Sequence, residues 1–210
     1  ETSQLITMLN KGVSHGKLNQ NPLSGKIKKL VEDNVRKKVL NQEEFERLIS
    51  ELKSPLREMF TVAFYLCMRQ GEIIKLTWSS VDLKEGFIRL PAENTKNNLS
   101  RVVPIHPFVE ECLKQVEKKD GEDRVFLSNG KPINQFSGNF QRQWKDATKK
   151  AGLEDFHFHD SRHCSINNLR LAQNDYFRIM AISGHKTMSV FKRYNYVTED
   201  ELKSVKWRQV

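Results

Sequence analysis

Met59, Phe60, Val62, Ala63, Phe64, Leu66 and Cys67 put apolar side chains on nearly every face of one helix. Such a helix cannot lie on a surface; it must run through a core and be covered by other elements. Ser54-Pro55 starts it, with proline in the first turn, where a missing N–H leaves no hydrogen bond unmade. Ahead of it, Asn41-Gln-Glu-Glu44 reads as a capping box, and Phe45, Leu48, Ile49 and Leu52 follow at helical spacing. Gly71 reads as a break, after which a short helix passes through Ile73, Ile74 and Leu76.

The pattern changes between residues 81 and 105. Val81-Asp-Leu83, the turn Lys84-Glu-Gly86 and Phe87-Ile-Arg-Leu90 read as a hairpin. Arg101-Val-Val-Pro-Ile105 is a third strand, reached through the polar tip 94–100. Helices are expected after it, at about 107–118, 134–150, 160–172, 175–183, 187–195 and 199–208. Arg124-Val-Phe-Leu127 fits either a short extra strand or a loop. The expected class is α+β: a mainly helical domain with a small three-stranded antiparallel sheet.

Residues 1–37 stand apart. Leu5, Ile6, Met8 and Leu9 suggest the end of a helix; Gly12, Gly16, Asn21-Pro22 and Gly25 punctuate, and a lysine-rich, charged stretch follows. The chain opens on Glu1 and not on Met, which points to a fragment: the tail of an upstream domain plus a basic linker over 1–37, then a compact domain over 38–210. No apolar run approaches the roughly 18 residues that span a bilayer, so no membrane contact through a spanning helix is expected. Three widely spaced cysteines, Cys67, Cys112 and Cys164, read as reduced packing thiols of a cytoplasmic protein. The formal charge of +9 favours a polyanionic partner, nucleic acid or an anionic surface.

Four places hold polar residues that packing does not ask for: Arg69-Gln-Gly-Glu72, Thr95-Lys96, His157-Phe-His159-Asp-Ser-Arg162-His163, and Gly184-His185 with Tyr194 and Tyr196 beyond. Each has an ordinary structural reading when taken alone: a helix cap, a solvated hairpin tip, a core histidine. His159 and His163 are four apart, but no glutamate follows the first as in zinc hydrolases, and no metal site is read.

Taken together and in order, these stretches resemble the tyrosine recombinase (phage integrase) family. The resemblance is carried by Met68-Arg-Gln-Gly-Glu-Ile-Ile-Lys-Leu-Thr-Trp78, Thr95-Lys96 with Ser100-Arg-Val-Val-Pro-Ile105, His159-Asp-Ser-Arg-His163, and Ser183-Gly-His-Lys186 leading to Arg193-Tyr194. It spans about residues 38–197. It implies that Arg69, Lys96, His159, Arg162, His185 and Tyr194 are the catalytic set, with Tyr194 as nucleophile and Tyr196 as its rival by proximity. Ser161, Ser183 and Cys164 depart from the family's usual residues without removing a catalytic group.

The implied reaction is attack of the tyrosine oxygen on a DNA phosphodiester, giving a 3′-phosphotyrosine bond and a free 5′-hydroxyl. Each residue type suits one difficulty. Tyrosine titrates near pH ~10, and neighbouring arginines favour its phenolate. Two arginine forks match the non-bridging oxygens as charge gathers on them. His185 is expected to donate another hydrogen bond to that phosphate, Lys96 to protonate the leaving oxygen and His159 to act as general acid or base. No cofactor is implied. The implied partners are double-stranded DNA and further copies of the chain, a tetramer on DNA, with the 198–207 segment and its Trp207 docking on a neighbour. A type IB topoisomerase-like relaxation activity, or a DNA-binding module that has lost catalysis, are the other readings; an integrase and a chromosome-dimer resolvase are not separable from the sequence.

Overall fold

A computed structural model of the chain describes residues 2–27, 38–95, 98–136, 138–191 and 203. The chain divides into two units, Glu1–Val35 and Arg36–Val210. In the first, α1 (Thr2–Ser14) buries none of its residues, and Leu5 and Met8 stand exposed. After it the chain turns back, with the Asn21 side-chain Nδ2 donating to Asn10 Oδ1 at 2.6 Å.

The second unit is built around the apolar helix. α2 (Gln42–Glu51) opens with the expected capping box: Asn41 Oδ1 accepts from the Glu44 amide, and Glu44 accepts from the Asn41 amide. α3 (Leu56–Leu66) buries Leu56, Met59, Phe60, Val62, Ala63, Phe64 and Leu66. It packs on α2, on α4 (Gln70–Ile74), on α5 (Pro107–Lys114) and on α7 (Asp160–Leu171). Phe60 lies at the centre, with ring centroids of Phe45, Trp144 and Phe156 at 5.5, 5.4 and 6.5 Å. Trp144 comes from α6 (Asn139–Lys150), and its buried indole N–H donates to the Phe156 carbonyl. Cys67 and Cys164 are buried, and the three thiols are free.

The break after α3 does not fall at Gly71, which lies inside α4. It falls at Cys67, whose φ of 54° is left-handed in spite of its β-carbon. Tertiary bonds hold it there: the Cys67 amide donates to Ser165 Oγ at 2.8 Å, and its carbonyl accepts from the Arg162 guanidinium.

The sheet is antiparallel in the order β1 (Val81–Asp82), β2 (Phe87–Leu90), β3 (Arg101–Pro104). Ile88 pairs with Val103 and Leu90 with Arg101. Alternation sends Ile88, Leu90 and Val103 inward, and Arg101 shares the inward face of β3 with Val103. The 124–127 region is neither one strand nor a plain loop. Arg124 forms a lone bridge with Thr77, and a hairpin of β4 (Leu127–Ser128) and β5 (Lys131–Pro132) turns at Asn129-Gly130, both at positive φ. α8 (Tyr176–Ser183) packs on α7 and on β3, and α9 spans Met188–Phe191. The expected helix at 199–208, Lys203 excepted, and with it Trp207, lies outside the described residues, as does most of the basic linker.

Phe60→Ala should lower unfolding free energy by about 3–5 kcal/mol, because a fully buried aromatic leaves a cavity. Phe87→Ala, on the outward face of β2, should change it by less than about 1 kcal/mol. Urea denaturation of the two variants measures the contrast.

Candidate active site

α8 ends where the site begins. Gly184 closes the helix at φ 71°, with its amide returning to the Met180 carbonyl. Carbonyls at a helix C-terminus have no partners within the helix and carry the negative end of its dipole. Three successive ones are met by arginines from three other elements. Arg101 Nε donates to the Ile182 carbonyl at 2.8 Å. Arg162 Nη2 donates to the Ser183 carbonyl at 2.5 Å. Arg69 Nη2 reaches the Gly184 carbonyl at 3.4 Å. Gly184 is required twice over, since a β-carbon there would also sit 3.3–3.4 Å from Cδ, Nε and Nη1 of Arg101.

One carboxylate ties two of these arginines together. Arg101 grips Glu72 with both terminal nitrogens, at 2.8 and 2.6 Å. Arg69, which caps α4, gives Glu72 its amide at 2.7 Å and its Nη1 at 3.1 Å. Burial works against the Glu72 charge, but the Arg101 fork and the Arg69 amide and guanidinium outweigh it and hold the pKa below the usual carboxylate value. Glu72 and Arg101 have side chains 2% and 8% exposed, Arg69 20%. Glu72 and Arg101 thus anchor Arg69, which carries the charge toward solvent.

Arg162 is 2% exposed and lies across the C-terminal ends of α3 and α8, bonded to the carbonyls of Cys67 and Ser183. Its Nη2 also lies 3.3 Å from Nε2 of His185. The other ring nitrogen of His185, Nδ1, is 2.7 Å from Ser183 Oγ. Burial, then the charges of Arg162, Arg69 and Arg101, push the His185 pKa down to about 3, so the ring is neutral at physiological pH. A cleft of about 200 Å³ opens here, lined by Arg69, Thr95, Arg101, Gly184, His185 and Lys186 among others.

Of the residues singled out in the sequence, Arg69, Arg162 and His185 therefore come together. His159 stands exposed as the N-cap of α7, one turn before Arg162, with its ring 6.2 Å from that of His163. Lys96, Tyr194 and Tyr196 lie outside the described residues. Thr95, next to Lys96 in the chain, is buried, and its hydroxyl closes the turn by accepting from the Leu99 amide. Glu72 and Arg101 were given no role from the sequence. The signal for Arg101 was its register, because an arginine on the inward face of a strand demands an acidic partner. Among the described residues no three His, Cys, Asp or Glu side chains converge as a metal-binding group, and no helix is long and apolar enough to cross a membrane.

A mainly helical domain with a small three-stranded antiparallel sheet is the fold that this chain shares with solved integrase structures. The chain belongs to the phage integrase family, whose profile matches residues 38–201. It is 32% identical over 195 residues to a shufflon-specific DNA recombinase of Escherichia coli, covering 91% of this chain and 48% of that protein. The Tn1549 transposon integrase in complex with circular intermediate DNA superposes with a TM-score of 0.72 at 17% identity, over 97% of this chain and 77% of that one. A lambda integrase tetramer bound to a Holliday junction gives 0.65 at 20%, over 88% and 57%. The chain spans about half the length of the curated relatives it matches.

Two outcomes test this geometry. Glu72→Ala strands Arg101 in a buried site and should lower unfolding free energy by about 3–5 kcal/mol, whereas Arg89→Ala, in an exposed pair with Asp82, should change it by less than about 1 kcal/mol. Acid should weaken the fold early. His185 is held neutral in the folded state but takes a proton near pH ~6.5 once unfolded, so stability is full above that value and falls as pH drops toward about 3. Glu72 adds the same sign only at lower pH, as its carboxylate begins to protonate. Between about pH 6.5 and 5, His185→Asn should make the decline in thermal midpoint shallower but not flat, because burial also lowers the pKa of His106.

Proposed function

We propose that this chain is the catalytic part of a site-specific DNA recombinase of a phage or other mobile element, cleaving and rejoining strands through a 3′-phosphotyrosine bond. The observation that carries this reading is the gathering of Arg69, Arg101 and Arg162 at one helix end beside a cleft, with Glu72 holding Arg69 and Arg101. Arg69, the most exposed of the three, presents its guanidinium to this cleft, where an anion can be bound. A phosphodiester offers paired oxygens of the kind that arginine forks match.

In this reaction the Tyr194 oxygen attacks phosphorus, its proton passing to His159. Arg69 and Arg162 stabilise the non-bridging oxygens as their charge grows, with His185 beside them. The bond from phosphorus to the 5′ oxygen breaks, and Lys96 supplies the proton that the leaving oxygen needs. The phosphotyrosine link conserves the bond energy, so a 5′-hydroxyl from another strand reseals it with no nucleotide cofactor. Residues 38–210 form the catalytic domain. Residues 1–37 are the end of an upstream DNA-contacting domain and its linker, a reading supported by the apolar Leu5 and Met8 left exposed on α1. The working partner is double-stranded DNA in the cytoplasm, with a tetramer as the assembly, a state in which lambda integrase has been seen on a Holliday junction.

Covalent trapping tests the whole reading. The protein, expressed with its upstream coding sequence, is incubated with nicked DNA from the region flanking its own gene and resolved on a denaturing gel. A DNA-linked band is expected, lost with Tyr194→Phe, retained with Tyr196→Phe, and formed about 10²–10³-fold more slowly with Arg69→Ala. A band lost only with Tyr196→Phe transfers the nucleophile to that residue. DNA binding with no band from any DNA tested would sink the recombinase reading.

A further inference from the structure

We propose that Thr95 is a positioning residue for proton delivery to the leaving oxygen: its hydroxyl closes the hairpin tip between residues 95 and 99 and keeps Lys96 at the rim of the cleft. Its role rests on the recombinase reading, in which Lys96 supplies that proton.

The closure is built from bonds on both sides of the tip. Thr95 follows the short helical turn Ala92–Asn94, and its amide donates to the Ala92 carbonyl at 3.0 Å. Its hydroxyl accepts from the Leu99 amide at 3.1 Å, a direction that is fixed because a backbone N–H only donates. The hydroxyl's one proton has two carbonyls in reach, Ala92 at 3.0 Å and Leu99 at 2.9 Å. Whichever it takes, Thr95 Oγ1 stays joined to Leu99 across the tip. The Asn98 amide returns to the Thr95 carbonyl at 3.2 Å, and Asn98 turns the chain at φ 50°, a left-handed angle that asparagine tolerates. Thr95 is 5% exposed although it lies on a hairpin tip. A hydroxyl so placed meets little competition from water, and the branched β-carbon restricts its rotamers.

The closed tip borders the site. Thr95 and Leu99 line the same cleft of about 200 Å³ as Arg69 and His185. Two residues beyond Leu99, Arg101 grips Glu72, which also holds Arg69. One end of the tip is therefore tied to the arginine cluster, and Thr95 ties the other end to the first. Lys96 lies outside the described residues, but consecutive Cα atoms are about 3.8 Å apart, so its side chain must start beside the rim. The closure also shortens the free segment. Leu90 pairs with Arg101, which leaves the ten residues 91–100 between the strands, whereas only the three residues 96–98 lie between Thr95 and Leu99. The local concentration of a group on a flexible loop falls roughly as the three-halves power of loop length. Opening the tip from the shorter span to the longer dilutes the ammonium by up to about sixfold.

Amide hydrogen exchange and covalent trapping test the closure and the role separately. In the ¹⁵N-labelled chain the amide of Leu99, an exposed residue, should exchange slowly, faster in Thr95→Val, and slowly again in Thr95→Ser, which keeps the hydroxyl. An unprotected Leu99 amide in the unsubstituted protein overturns the proposal whether or not either variant folds. Equal protection with valine overturns it as well. Trapping uses the protein expressed with its upstream coding sequence and two nicked DNAs, one natural and one with sulfur replacing the 5′ bridging oxygen at the cleavage position that the natural DNA reveals. A thiol has a pKa of ~8.5, so its thiolate departs without a proton and needs no lysine. On the oxygen substrate Thr95→Val should form adduct about three- to sixfold more slowly than the unsubstituted protein. On the sulfur substrate the two rates should be equal, and Thr95→Ser should stay close to the unsubstituted protein on both. A loss of the same size on both substrates would mark a merely structural threonine, and no loss on either would remove the role; each overturns the proposal. No adduct from the unsubstituted protein on either DNA would remove the recombinase reading and the proton-delivery role with it, and the exchange would still decide whether the tip is closed.

Discussion

Three backbone carbonyls at the end of α8, each met by an arginine from a different part of the chain, hold this site together. Arg101 comes from a strand, Arg162 from the helix that packs on α3, and Arg69 from the turn that follows α3. Remove the helix end and only Glu72 is left, tying Arg69 to Arg101 and leaving Arg162 apart from them. Three guanidinium groups would otherwise repel, by several kcal/mol in a poorly hydrated site. The oriented carbonyls, with Glu72 between Arg69 and Arg101, make their convergence beside a small cleft tolerable.

The helical core explains why that arrangement is steady. α3 is covered on all sides, so its C-terminal end has little freedom, and the left-handed Cys67 that follows is gripped at both its amide and its carbonyl. Arg162 is itself one of those grips. The same guanidinium therefore shapes the backbone leading to Arg69 and faces His185, so packing and chemistry share an atom group. Polar ties of this kind inside an apolar shell are strong because water cannot compete for them, and damaging when half of one is lost.

Much of this was legible in the sequence, for reasons that lie in particular residues. The capping box at Asn41 and Glu44 is a local device, written in four consecutive residues and formed as read. The central helix could be recognised because it has almost no polar face, and the hairpin because its apolar residues alternate. The break near residue 70 was misplaced because glycine is the usual sign of one. Here a cysteine takes the left-handed conformation, held by Ser165, which lies 98 residues further along the chain. The small hairpin at 127–132 carried an Asn-Gly turn signal that was legible and went unread. Arg69, Arg162 and His185 stood out by resemblance, but the bonds that orient them are long-range. Nothing local links Glu72 to Arg101, 29 residues away, or Arg69 to Gly184, 115 residues away.

That the arginines end on carbonyls also bears on how such a site endures as sequences diverge. A side-chain acceptor disappears with one substitution, but every residue brings a carbonyl. The identities of Ile182 and its neighbours can drift while the acceptors stay in place, provided the helix still ends there. Only a few positions are bound to a particular residue: Gly184 by its backbone angle and the closeness of Arg101, and Glu72 by its charge. A lineage built this way can rewrite most of the surface around its active centre and keep the centre itself.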